Sequence, residues 1–240
     1  MKQGLSFLII MKHVTLAKIF VFIFVLCNSV SAQGSASTLD KDFLSWNEKE
    51  AVKYGEVWRV NGRIGGYFDT RILSTDKSFN YKLRATLMSP EAIRATARFE
   101  QIRNSLTNEE TLDLVAKAES ENSLVIVVEV DPREGSGVIP NDWRGLLQTS
   151  KAMGESSNRT IRGLKKQSLR EVTALKGVAK RDYNYDVFWI TFPLKDENGK
   201  PYWTTVPAEI ELVVGIYNKE GRVVWKVSDD LRTRIEALLK

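Results

Sequence analysis

The segment from Leu124 to Val130 constrains the fold more than any other part of the chain. Apart from Glu129 it is apolar on both sides of a pleat, rich in β-branched residues and too short for a helix of its own, so it reads as a buried strand. Such a strand demands a covering layer on each face of its sheet. Val187 to Phe192 makes the same demand and predicts a second central strand within Tyr185 to Leu194. Between Phe79 and Met88 the pattern alternates instead. Phe79, Tyr81, Leu83, Ala85 and Leu87 face inward, while Asn80, Lys82, Arg84 and Thr86 face water.

Further strands are expected at Glu209 to Tyr217 and Arg222 to Val227, with turns at Asn198-Gly199 and Glu220-Gly221. The sharpest turn signal is Asn61-Gly62, which supplies the positive φ of a two-residue hairpin between Glu56 to Val60 and Arg63 to Leu73. Residues 131–163 carry Gly135, Gly137, Pro140, Gly145, Gly154 and Gly163 among polar residues. That composition predicts a long irregular connection, broken briefly at Trp143 to Leu147.

Helix signals separate these strands. A helix is expected from Leu39 to Lys53, with Asp40 and Asp42 in its first turn and Phe43 and Trp46 on one side. Ser89-Pro90-Glu91 opens another, whose apolar stripe is Ala92, Ala95, Phe99, Ile102 and Leu106. Thr107 to Glu110 is a capping box for its partner, with Leu112, Val115 and Ala116 inward. Ser228 caps a last helix with Leu231, Ile235, Leu238 and Leu239 on its inner stripe. The expected class is therefore α+β: a mainly antiparallel β-sandwich or bent sheet of about seven strands, with an inserted helical pair and helices near both ends.

Met1 to Ala32 has the three parts of a cleaved secretory signal: a positive start, the apolar run Ile19 to Leu26, and Val30-Ser31-Ala32 before Gln33. Met11 is a second possible start. Residues 33–38 suit a leash, and 39–240 a single domain with a long polar and basic loop around 148–166. Taking residues 1–32 from the 240 removes His13, Cys27, Lys2, Lys12 and Lys18, leaving 208 residues with 32 basic side chains, 30 acidic ones and a formal charge of +2. No His or Cys remains for a nucleophile, a relay, a haem or a soft metal site, so no cofactor or metal is expected. A cysteine-free exported chain of this size suits the bacterial periplasm or exterior.

Four groups are candidates for a site. Lys151 to Arg181 holds nine basic residues against Glu155 and Glu171, a net +7 that leaves −5 for the remainder. Lys165, Lys166 and Arg170 at its centre suit an anionic surface or an acidic protein partner, or else fold back on the acidic body. Aromatic residues hardly interleave the stretch, which argues against a single-strand nucleic-acid groove. Asp131, Glu134, Asp142 and Arg144 leave the end of the buried strand and offer carboxylates for glycoside hydrolysis, or a turn held by ion pairs. Trp203, beside Pro201 and Tyr202, offers a ring for sugar stacking if exposed and a core plug if not. Arg94 and Arg98, one helical turn apart, pose the same choice between anion clamp and ordinary ion pairs. The expected function is a non-enzymatic interaction or structural domain of the bacterial envelope, with a carbohydrate-active module as the alternative.

Overall fold

The computed structural model describes residues 43–65, 80–132, 138–149 and 160–240. Among them are nine strand segments: β1 (Arg59–Ile64), β2 (Tyr81–Leu87), β3 (Leu124–Asp131), β4 (Arg144–Thr149), β5 (Ile161–Arg162), β6 (Leu164–Lys165), β7 (Asp186–Phe192), β8 (Glu209–Ile216) and β9 (Lys219–Lys226). Four α-helices accompany them: α1 (Glu48–Glu56), α2 (Pro90–Asn104), α3 (Asn108–Glu119) and α4 (Asp229–Leu239). The strands form two antiparallel sheets, one ordered β1-β2-β3-β7-β6 and the other β5-β4-β8-β9. The class is α+β.

The two apolar runs lie side by side, as their composition requires. β3 pairs with β7 along its length, Ile126 opposite Ile190 and Val127 opposite Trp189. Side chains of both sheets meet in one core. Gly145 of β4 lies so close to Ile190 of β7 that a Cβ there would stand 3.1 Å from its Cδ1. The sheets also join through the chain itself, because β5 belongs to one and β6 to the other with only Gly163 between them.

The Asn61-Gly62 hairpin does not exist. Both residues sit inside β1, paired with Arg84 and Leu83 of β2. Gly62 is needed for close approach, since a Cβ would come within 2.9 Å of Val223 where β9 crosses β1. The expected continuation to Leu73 falls largely on residues 66–79, outside the described ones. The turn expected at Glu220-Gly221 is likewise displaced: Gly221 is inside β9, and the two-residue connection is Tyr217-Asn218, with Tyr217 at φ 52°. Asn198-Gly199 does turn, with Gly199 at φ 75° and Asp196 Oδ1 accepting from the Asn198 amide.

Helix starts follow their caps. Ser89 accepts from the Ala92 amide with Pro90 in the first turn, and Thr107 and Glu110 exchange both bonds of a capping box. Near the N-terminal side the expected helix from Leu39 is cut short, because Asn47 and Glu50 form a box of their own that starts α1 at Glu48. Phe43 and Trp46 precede it, and Asp40 and Asp42 lie outside the described residues. On α3 the buried side is Thr111, Val115 and Ala118, whereas Leu112 is 49% exposed and Ala116 is exposed too. Of the expected stripe, Val115 is thus inward and Leu112 and Ala116 are not. The loop around 148–166 narrows as well: Gln148 and Thr149 belong to β4, residues 161–165 to β5, Gly163 and β6, and residues 150–159 are not described.

Candidate binding cleft

Strand register builds the site. The outward side of the larger sheet presents Arg59, Thr86, Val127 and Trp189 in one row, then Asn61, Arg84, Glu129 and Val187 in the next. Val127 and Trp189 are buried, and the Trp189 indole donates to the Leu175 carbonyl at 2.8 Å. Toward the other end the rows turn polar. Arg59 reaches over β2 to grip Glu129 with two nitrogens, Nε at 3.1 Å and Nη2 at 2.9 Å from Oε2. This paired, half-covered fork gives the face a rigid floor.

Above the floor opens a cleft of about 1020 Å³ between the helices and the segment 167–187. Its helix wall carries Glu48, Glu56 and Glu100 with Arg103, and its opposite wall carries Arg170, Lys176, Lys180 and Arg181 with Glu171. The second wall is held against the first by Val178, which packs so tightly on Gly55 of α1 that a Cβ there would stand 2.5 Å away. Arg170, Lys176 and Lys180 are exposed and make no ion pair among the described residues. One wall is thus mostly acidic and the other mostly basic, with the charges free to meet a partner.

At the mouth, Arg84 lies over the Tyr185 ring at 3.9 Å and pairs with Asp182 at 3.2 Å. The Asn184 amide donates to Asp182 Oδ1 at 3.1 Å. That backbone bond, helped by Arg84, holds the Asp182 carboxyl below its usual value, while burial of Tyr185 pushes its phenol up. A depressed carboxylate contributes order above its unfolded pKa and loses it as pH falls through the folded one. The Asn184 amide resonance is therefore expected to stay constant until the pH drops below the ordinary aspartate range, and Arg84→Gln is expected to move that midpoint upward. An NMR titration of Asn184 checks both, and a midpoint at or above the ordinary aspartate value refutes the arrangement.

No family model, curated protein or solved structure matches this chain. The site rests on its own residues. Asp131, at the end of β3 opposite Lys82, is 1% exposed, so it is not a solvent-facing acid. Glu134 lies outside the described residues. Asp142 is exposed and its charge acts on Lys165, and Arg144, at the start of β4, lies against Gly215. With Glu134 undescribed, the two carboxylates placed are Asp131 and Asp142, one buried and one exposed. Trp203 is only 4% exposed and belongs to the core, so the surface stacking platform is corrected to the core plug.

The basic triplet separates too. Lys165 Nζ sits 4.4 Å from the Trp143 ring centre and donates to the Asn141 carbonyl at 2.6 Å, and partial burial draws its pKa down against the pull of Asp142. Lys166 pairs with Glu121 at 2.6 Å. Only Arg170 of the three reaches the cleft. Arg94 pairs with Asp230, and Arg98 donates to the Trp46 carbonyl and Gln101, so no clamp forms between them. Among the described residues no group of three His, Cys, Asp or Glu is placed to hold a metal ion, and no helix is long and apolar enough to cross a membrane.

Sequence reasoning missed Arg59, Glu129, Tyr185 and Asp182 as a set. The outward Lys82 and Arg84 were the one local signal that this face stays polar.

Proposed function

We propose that the chain is a non-enzymatic binding domain of an exported bacterial protein, and that the cleft over β2, β3 and β7 receives a protein partner. In this reading residues 1–32 are a removed secretory signal, the protein works in the periplasm or outside the cell, and the two sheets face each other as a sandwich. The observation that carries it is the pair of oppositely charged walls. A cleft with six basic and six acidic lining residues has no net charge with which to hold a lipid or polysaccharide surface. It offers both signs at fixed positions, which suits a polypeptide.

The competing surface reading loses support because Lys165 and Lys166 are engaged internally. The carbohydrate reading loses its anchors with Trp203 and Asp131 buried. A photo-crosslinking residue at Gln167, neutral and lining the cleft, is expected to trap a discrete partner in the host, and the same residue at Leu112 on α3 is not. Arg170→Glu with Lys180→Glu should abolish the Gln167 adduct. Equal trapping at both positions, or stronger cosedimentation with phosphatidylglycerol than with phosphatidylcholine vesicles at physiological salt, would overturn the proposal.

A further inference from the structure

β7 has a full-length neighbour on one side and almost none on the other. β3 accompanies it from Asp186 to Phe192, whereas β6 meets only Ile190 and Thr191. The Lys166 amide adds one bond, to the Trp189 carbonyl at 2.9 Å, before the chain bends into a 3-10 turn at Gln167–Glu171. That bond fixes direction. The N–H and C=O of a strand residue in an antiparallel ladder point to the same side, and successive residues point to opposite sides. With Trp189 turned away from β3, Val187 turns away from β3 as well.

No described strand pairs with Val187 on that side, and Val187 is half-buried on the cleft wall. Two other edges are closed. β1 and β9 cover one another where the Gly65 amide bonds the Glu220 carbonyl at 3.1 Å and Gly221 presses on the Arg63 backbone. β9 also carries Lys219, Glu220, Arg222 and Lys226, the kind of charges that keep edges from pairing.

We infer that the first half of β7 is an open strand edge that takes an extended, acidic segment of a protein partner as an added strand. Charge selects the occupant: the wall that leads into β7 lines the cleft with Arg170, Lys176, Lys180 and Arg181 against Glu171 and Asp186, so it is locally positive although the whole cleft is neutral. Between Thr160 and Arg181 the chain has seven basic residues and only Glu171 to oppose them, and Arg170, Lys176 and Lys180 of that run line the same cleft as Val187. Main-chain bonds to Val187 supply the affinity common to added strands, and the cations choose among sequences. This inference rests on the cleft being the partner face.

A phage-displayed library of random dodecapeptides, panned on the purified chain, is the probe. Selected peptides are expected to alternate β-branched with acidic residues, and the best of them to slow exchange of the Val187 amide about tenfold or more. Val187→Pro removes a donor that β3 does not use. It is expected to weaken that peptide about tenfold or more, the loss of a main-chain bond and of the fit around it. Should Val187→Pro fail to fold, the amide protection decides alone. Peptides that depend on Lys176 and Lys180, yet leave the Val187 amide unprotected or bind Val187→Pro unchanged, overturn the edge and leave the cleft standing. Enrichment of nothing, or of peptides indifferent to Lys176→Glu with Lys180→Glu, overturns both.

Discussion

Trp225→Ala is expected to destabilise the fold by about 3–5 kcal/mol, and Trp225→Phe by only about 1 kcal/mol. Trp225 is fully buried on β9, and its indole donates to the Trp58 carbonyl at 2.9 Å, across 167 residues of sequence. That carbonyl also accepts from the Leu87 amide at 3.1 Å. Removing the indole N–H therefore does not orphan the acceptor, and the phenylalanine variant keeps most of the packing. Alanine leaves a cavity where the two sheets meet near the start of β1, with Trp58 and Ile64 in the same core. Urea unfolding of the three proteins measures the difference. Equal losses for the two variants would mean that the hydrogen bond, and not the ring, holds β1 to β9.

How much of this was legible depends on how far each signal reaches. Ser89-Pro90, Thr107 with Glu110 and Ser228 act within four residues, and each starts its helix where the sequence places it. Asn47 with Glu50 is the same kind of signal, overridden in the reading by Asp40 and Asp42. Leu124 to Val130 and Val187 to Phe192 state their own burial and do pair. Asn61-Gly62 misleads because its glycine serves a neighbour distant in sequence, Val223, and not a local turn. Trp203 could be read as a surface ring or a core plug, because core burial is decided by the whole sheet pair. The cleft is harder still. Arg59 and Glu129 are 70 residues apart and Arg84 and Asp182 are 98 apart, so no window of sequence contains either pair. The basic residues are visible as a total, but the division of Lys165, Lys166 and Arg170 between Trp143, Glu121 and the cleft follows from tertiary placement.

Gly163→Ala should cost about 3 kcal/mol, the upper end of what one inserted methyl does to a packed core, and lower the melting temperature by about 6–12 °C. The chain leaves one sheet and enters the other at this residue, so its backbone passes over the core with nothing between. A Cβ would stand 2.4 Å from Ile190 Cγ2 and 2.8 Å from Phe192 Cε1, and both side chains are fully enclosed. The Gly163 amide also bonds the Gly145 carbonyl at 2.9 Å, which limits how far the corner can back away. Gly177→Ala separates this steric cost from a conformational one. Gly177 has φ 77° but nothing within 4 Å of its added Cβ, so its variant should lose only about 1–2 kcal/mol, the left-handed penalty. Adding Ile190→Ala to Gly163→Ala should give a double variant more stable than the two single losses predict, by about 1 kcal/mol. Strict additivity in thermal or urea unfolding would mean that the added methyl does not press on Ile190, and that the two sheets do not close on one another through Ile190 at this corner.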